Sequence, residues 1–179
     1  FIFTFNFLNQ HNLLKGNVCI IGDGKVNCVG GLLSINRNDI KIFSINLTEV
    51  LINDYLIIKN YNLLNDDSII VVKSEKDLDS PNKKLFLIDA SNVHLLKNKN
   101  INLFINIASM QEMTSEIIEN YFQIIKSNRS FFYCCNREYK KLPGGEEIFF
   151  DEYPWGDCEK IVFEECLWHR KYYEFFPPF

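Results

Sequence analysis

No apolar run in this 179-residue chain approaches the ~20 residues of a membrane span, so no segment reads as a transmembrane helix. The opening FIFTFNFL is aromatic, but Thr4 and Asn6 interrupt it. Without a basic leading region or a cleavage pattern it does not read as a secretory signal. Positive charge is scarce as well: 19 Lys and Arg face 23 Asp and Glu, a formal net charge of −4. Nucleic-acid binding needs a basic face to meet phosphates, and the only local cluster, Lys97-Asn-Lys-Asn100, is too short to make one. Six cysteines are present but no C-x-x-C. Cys134 and Cys135 are adjacent in an expected strand and point to opposite faces, while Cys166 and His169 offer only two ligands, so no metal site is expected. Reduced thiols in a cytoplasmic protein are the simpler expectation. Internal repeats and a Pro/Ser-rich linker are both missing, which leaves one domain over residues 1–179. The chain begins with Phe and stops at Pro-Pro-Phe, and is read as part of a longer polypeptide.

What remains is an alternation of short apolar runs with helical patterns. Asn17–Ile21, Ile40–Ile45, Ile69–Val72, Leu85–Ile88, Leu103–Ile107 and Ser130–Cys135 read as strands. Thr48 is placed to cap a helix from Glu49 to about Asn60, and a second helix runs from Thr114 to Lys126. Strands apolar on both faces, separated by helices, predict an α/β fold with a mostly parallel sheet covered on both sides. Beyond Lys141, a strand at Glu147–Phe150, an aromatic loop at Tyr153–Gly156 and a helix at Ile161–His169 are expected to finish the sheet and wall the site.

In such folds ligands sit beyond the carboxyl ends of the strands. Two neighbouring apolar runs turn polar there, delivering Asn106, Ser109, Gln111 and Glu112, then Asn136 and Arg137, to one rim. The first strand runs into Gly22-Asp23-Gly24, a turn with the form of a nucleotide loop but without the third glycine of a dinucleotide fingerprint, so a plain strand-to-loop turn explains it equally. Asn46 ends the second strand, where an acid commonly holds ribose hydroxyls. Its amide can donate and accept but carries no charge, and a simple turn role stays open. Glu112 also suits a helix start, His169 a structural histidine, Tyr153 and Trp155 ordinary packing, and Met110 and Met113 core filling.

Asn106–Met113 (NIASMQEM), Phe132–Glu138 (FYCCNRE), Asp151–Trp155 (DEYPW), Trp168–Tyr173 (WHRKYY) and Phe176–Phe179 (FPPF) together resemble the sugar O-methyltransferases, a family dependent on S-adenosylmethionine with a Rossmann-like sheet. The resemblance covers most of the chain and implies a preceding N-terminal region. It implies a cofactor-binding core over about 17–140 and a substrate-walling part over about 141–179. Gly22, Asp23 and Gly24 would approach the methionine or ribose, Asn46 the ribose, Asp89 the adenine, and Asn106 and Ser109 the sulfonium. Asn136, Arg137, Tyr153, Trp155 and His169 would face the sugar or glycan, with Glu112 or His169 taking the hydroxyl proton. Two departures, the absence of an acid at the end of strand one and Asn46 at the ribose position, weaken the cofactor half, and the degenerate glycine loop keeps a second reading in play: a non-catalytic Rossmann-like module that binds a sugar or nucleotide or scaffolds a partner enzyme. A metal-binding module on Cys166 and His169 is a third.

Overall fold

The computed structural model describes residues 2–35 and 39–166. Six parallel strands form the main sheet: β1 (Gly16–Ile21), β2 (Ile40–Asn46), β3 (Ile69–Val72), β4 (Leu85–Asp89), β5 (Leu103–Ile107) and β6 (Phe131–Cys135). Their order across the sheet is β3-β4-β2-β1-β5-β6, with every neighbouring pair parallel. This is a doubly wound, Rossmann-like α/β sheet, and its strand order reverses between β1 and β5.

Each central strand alternates its side chains between two apolar layers, which is why the strands read as continuous hydrophobic runs. Val18, Ile20, Ile42, Leu85, Leu87, Leu103 and Ile105 face one core, beneath α1 (Ile2–Gln10), α2 (Asn27–Ser34) and α3 (Thr48–Asn60). Cys19, Ile21, Phe43, Ile45, Phe86, Ile88 and Phe104 face the other. There they meet the short α4 (Glu75–Leu78), a 3-10 segment at Ala90–Leu96, and α5 (Ser115–Asn128). Phe43 and Phe86 stack across adjacent strands at 4.6 Å.

Helix starts differ from the pattern in the sequence. Leu47, not Thr48, is the N-cap of α3, and the Thr48 hydroxyl donates instead to Asp89 Oδ2 on the neighbouring strand end. Thr114 makes no side-chain cap; the first amide of α5, Ser115 N, donates to Glu146 Oε1 at 2.8 Å. Residues 2–8 of the opening lie in α1, docked by Leu8 and Thr4 while Ile2 is 81% exposed.

The tail does not finish the sheet. After β6 the chain forms a separate antiparallel ribbon, β7 (Tyr139–Lys141) with β8 (Glu147–Phe149), and then packs an aromatic loop onto α5. Residues 161–166 are irregular rather than helical, because Ile161, Val162 and Phe163 are all exposed and offer no buried face. The rest of that expected helix, with His169, lies outside the described residues, as do the segments 168–173 and 176–179. No helix among the described residues is long and apolar enough to cross a membrane.

Two phenylalanines separate packed from unpacked apolar surface. Phe104 is wholly buried in β5, so Phe104→Ala should cost about 3–5 kcal/mol in urea denaturation. Phe163 is 67% exposed, and Phe163→Ala should cost less than about 0.5 kcal/mol.

Candidate functional site

The carboxyl rim of the sheet collects Gly22 to Gly24 after β1, Asn46 after β2, Asp89 after β4, Asn106 to Glu112 around the end of β5, and Asn136 and Arg137 after β6. Parallel strands in a common register guarantee this: Ile21 sits beside Ile45 and Asn106, Asn46 beside Asp89, and Asn106 beside Cys134.

Asn106 is the hub. It is fully buried, and its Nδ2 donates to Ile21 O at 3.0 Å and to Ser109 Oγ. Its Oδ1 accepts from Met110 N at 3.3 Å and from Asn136 Nδ2 at 2.7 Å. Ser109 Oγ also donates to Ile21 O, at 2.9 Å. Asn136 Oδ1 accepts from Gln111 N at 3.2 Å, and Gln111 Oε1 from Arg137 N at 2.9 Å. The ends of β1, β5 and β6 are thereby stitched together, and Gln111, 6% exposed, is as much a part of the stitch as the asparagines. Asn106, Ser109 and Asn136 therefore shape the rim from within.

Gly22 has a structural reason to be glycine. Its φ is +71°, and a Cβ there would lie 2.3 Å from Ser109 Oγ. Gly24 is different: a Cβ there would meet nothing within 4 Å, so the backbone is open to close approach. The chain then passes through Lys25 (φ 70°) and Val26 (φ 60°), left-handed positions that a β-branched residue rarely adopts. Asp23 turns inward. It is 5% exposed and caps α2, accepting from Cys28 N at 2.9 Å and Val29 N at 2.7 Å. Burial raises its carboxyl above the ordinary value, against the opposing pull of those amides.

Beside it sits a residue that the motif reading passed over. Asp54 occupies the buried face of α3 with Leu51 and Ile58, 1% exposed, and neither carboxylate oxygen has a hydrogen-bond partner. Burial, then the neighbouring charge of Asp23, push it up to about 6. The Asn46 amide and the Val26 N–H lie near enough to offset part of this without reaching hydrogen-bond geometry. The signal was available: an acid at the 51-54-58 positions of an otherwise apolar helix face. Asn46 itself donates to Asp23 O at 3.3 Å and accepts from Leu47 N at 3.1 Å.

Between the β1 turn and β5, at the reversal point, lies a crevice of about 200 Å³ lined by Ile20 to Gly24, Asn27, Cys28, Ile105, Ile107 and Ala108. It is smaller than the roughly 300–1,000 Å³ that takes a drug-sized ligand whole, and admits part of one. Asp89 stands at the end of β4, two strands from β1, its carboxyl held below its ordinary value by bonds from Ser91 and Thr48. Partial burial raises Glu112, but Lys140, 3.2 Å away, together with Gln111 and Arg137 outweighs it and holds the carboxyl below its ordinary value. Arg137 is exposed at the rim.

Tyr153 and Trp155 are not brought to this rim. Trp155 packs edge-on to Phe122 at 5.0 Å and near Phe132, early in β6, and Lys126 in the last turn of α5 donates to Pro154 O at 2.8 Å. Because α5 runs antiparallel to the strands, its last turn lies toward their amino ends. The aromatic loop therefore seals the α5–β6 face instead of walling the site, and Tyr153 is 5% exposed. Among the described residues no group of three or more His, Cys, Asp or Glu could hold a metal ion.

No family model and no curated protein matches the chain. Among solved structures it is similar to a SAM dependent methyltransferase from Aquifex aeolicus, at 10% identity and a TM-score of 0.42, over 76% of this chain and 60% of that one. The chain thus spans less than two thirds of that structure, and a likeness at this level says nothing of cofactor or substrate here.

Gly22→Ala should cost about 2–4 kcal/mol, from the Ser109 contact and the positive φ together. Adding Ser109→Gly should relieve the contact, so that the double variant loses less than the sum of the two single losses, while the φ penalty keeps it below Ser109→Gly alone; urea denaturation of the three variants measures both. Asp54 gives a pH signature. Its folded-state pKa is raised, so the folded chain holds that proton more tightly and stability falls as pH rises from about 4 to about 6. Asp54→Asn should flatten that fall and raise stability at pH 7 by on the order of 2 kcal/mol in denaturation curves.

Proposed function

We propose that this chain binds S-adenosylmethionine at the reversal point of the sheet and is the cofactor-binding part of an O-methyltransferase acting on a sugar hydroxyl. One observation carries the cofactor half. Two buried carboxylates, Asp23 and Asp54, lie beside the β1 turn, and no cation among the described residues pairs with either. Asp23 lines the crevice and Asp54 lies next to Asp23 outside the lining; buried acids without a countercharge at that place suit a cationic ligand, and the sulfonium cofactor is one. The resemblance of 106–113 and 132–138 to the sugar enzymes supports the acceptor class.

In this reading Gly24 lets the backbone approach the ligand, and the negative field of Asp23, with Asp54 beside it, favours its positive charge. Asp89, the register partner of Asn46, accepts from the ribose hydroxyls and supplies the charge that Asn46 lacks. Bound S-adenosylmethionine supplies an activated methyl group, so the protein's task is chiefly positioning and proton removal. Arg137 orients the sugar hydroxyl, and Glu112 receives its proton. Its carboxyl, held low by Lys140, is always ready to accept but is a weak base, which makes His169 the alternative acceptor.

The non-catalytic reading also draws on one observation: the side-chain amides of Asn106, Gln111 and Asn136 are taken up by hydrogen bonds within the rim itself. Calorimetry separates the two. S-adenosylmethionine should bind the chain several-fold more tightly than S-adenosylhomocysteine, which lacks the sulfonium charge, and Asp54→Asn should shrink that ratio although it stabilises the fold. If a folded chain binds neither ligand, the non-catalytic module is the better account.

A further inference from the structure

The opposite end of the sheet carries a second recess. We propose that the groove between Lys15 and Arg129, at the amino ends of β1, β5 and β6, binds a phosphate monoester. Its volume is about 180 Å³, and its lining joins two cations to asparagines and to the apolar Leu13 and Phe131. No carboxylate lines it, although the chain as a whole is acidic. Among the described residues neither Lys15 nor Arg129 has an ion pair or a side-chain hydrogen bond. Asn102 Oδ1 is taken by Asn17 N at 2.8 Å, which leaves its Nδ2 hydrogens as donors.

The backbone at Arg129 adds a separate indication. This residue ends α5 at φ 52° and ψ 40°, the left-handed position where helices ordinarily place glycine or asparagine. An arginine there is not needed to close the helix. Ser127 Oγ and Asn128 Nδ2 take Ile124 O at 2.8 and 2.9 Å, Ser130 N takes Ile125 O at 3.4 Å, and the Arg129 backbone N–H takes Lys126 O at 3.0 Å. The chain thus holds an unpaired guanidinium in a conformation that favours a residue without a side chain. Guanidinium and ammonium groups flanking a small recess match a phosphate dianion. The exposed ring of Phe131 and Leu13 give a small organic body something to lie on. A mere helix-terminus role, a cation complementing the α5 dipole, is the structural alternative.

The two accounts differ under Arg129→Gly. Glycine suits the backbone, so the melting temperature should hold or rise by about 2 °C. Affinity for inorganic phosphate, followed by NMR shifts of residues 13–16 and 128–131 at constant ionic strength, should fall at least ~10-fold. Lys15→Gln should weaken it by about 3-fold or more without moving the melting temperature. Tighter binding of glucose 1-phosphate than of inorganic phosphate would identify an organic phosphate as the ligand; equal binding would identify the free ion. The proposal is overturned if these residues do not respond to about 20 mM phosphate, if sodium chloride produces the same shifts, or if Arg129→Gly binds as the parent does.

Discussion

The buried amide of Asn106 is the contact on which the rim depends. A side chain with no solvent exposure must satisfy its polar atoms internally, and this one does so with four partners drawn from β1, the turn after β5, and the residue after β6. That fixes Ser109, Ser109 limits residue 22 to glycine, and the turn at Gly22 sends Asp23 inward to cap α2. The crevice at the reversal point owes its shape to this sequence of constraints. An apolar residue at 106 would free three strand ends at once, because Ile21 O, Met110 N and Asn136 Nδ2 would each lose a partner in a buried setting.

Electrostatics then separates the two ends of the sheet. At the carboxyl rim, Asp23 and Asp54 are buried without a countercharge among the described residues, at a cost that the apolar cores must offset. At the amino rim, Lys15 and Arg129 stand exposed without one among the described residues. Unpaired charges in recesses of opposite sign suit ligands of opposite sign, and strained backbone lies near each, at Val26 and at Arg129.

Much of the architecture was legible because the strands are apolar on both faces. Ile69–Val72 and Leu103–Ile107 match the observed strands end for end, and the other strand boundaries move by one residue. From those ends the common rim of Asn46, Asp89, Asn106 and Asn136 followed. Helix α1 was missed because Phe3, Phe5 and Phe7 recur at every second residue, a spacing that shows no helical period. The tail misled because its aromatic residues, Tyr153 and Trp155, announce burial without saying against what, and the partner turned out to be Phe122 of α5. Asp54 escaped because a lone acid in a helix looks like a solvated residue until its neighbours at 51 and 58 prove buried.

The most direct test is hydrogen–deuterium exchange of the chain with and without saturating S-adenosylmethionine. Ligand binding at the reversal point predicts slower exchange in residues 22–29 and 106–110, with the amides around Arg129 unchanged. Slowing confined to other segments, or none at all in a chain shown to be folded, would contradict the placement of the site.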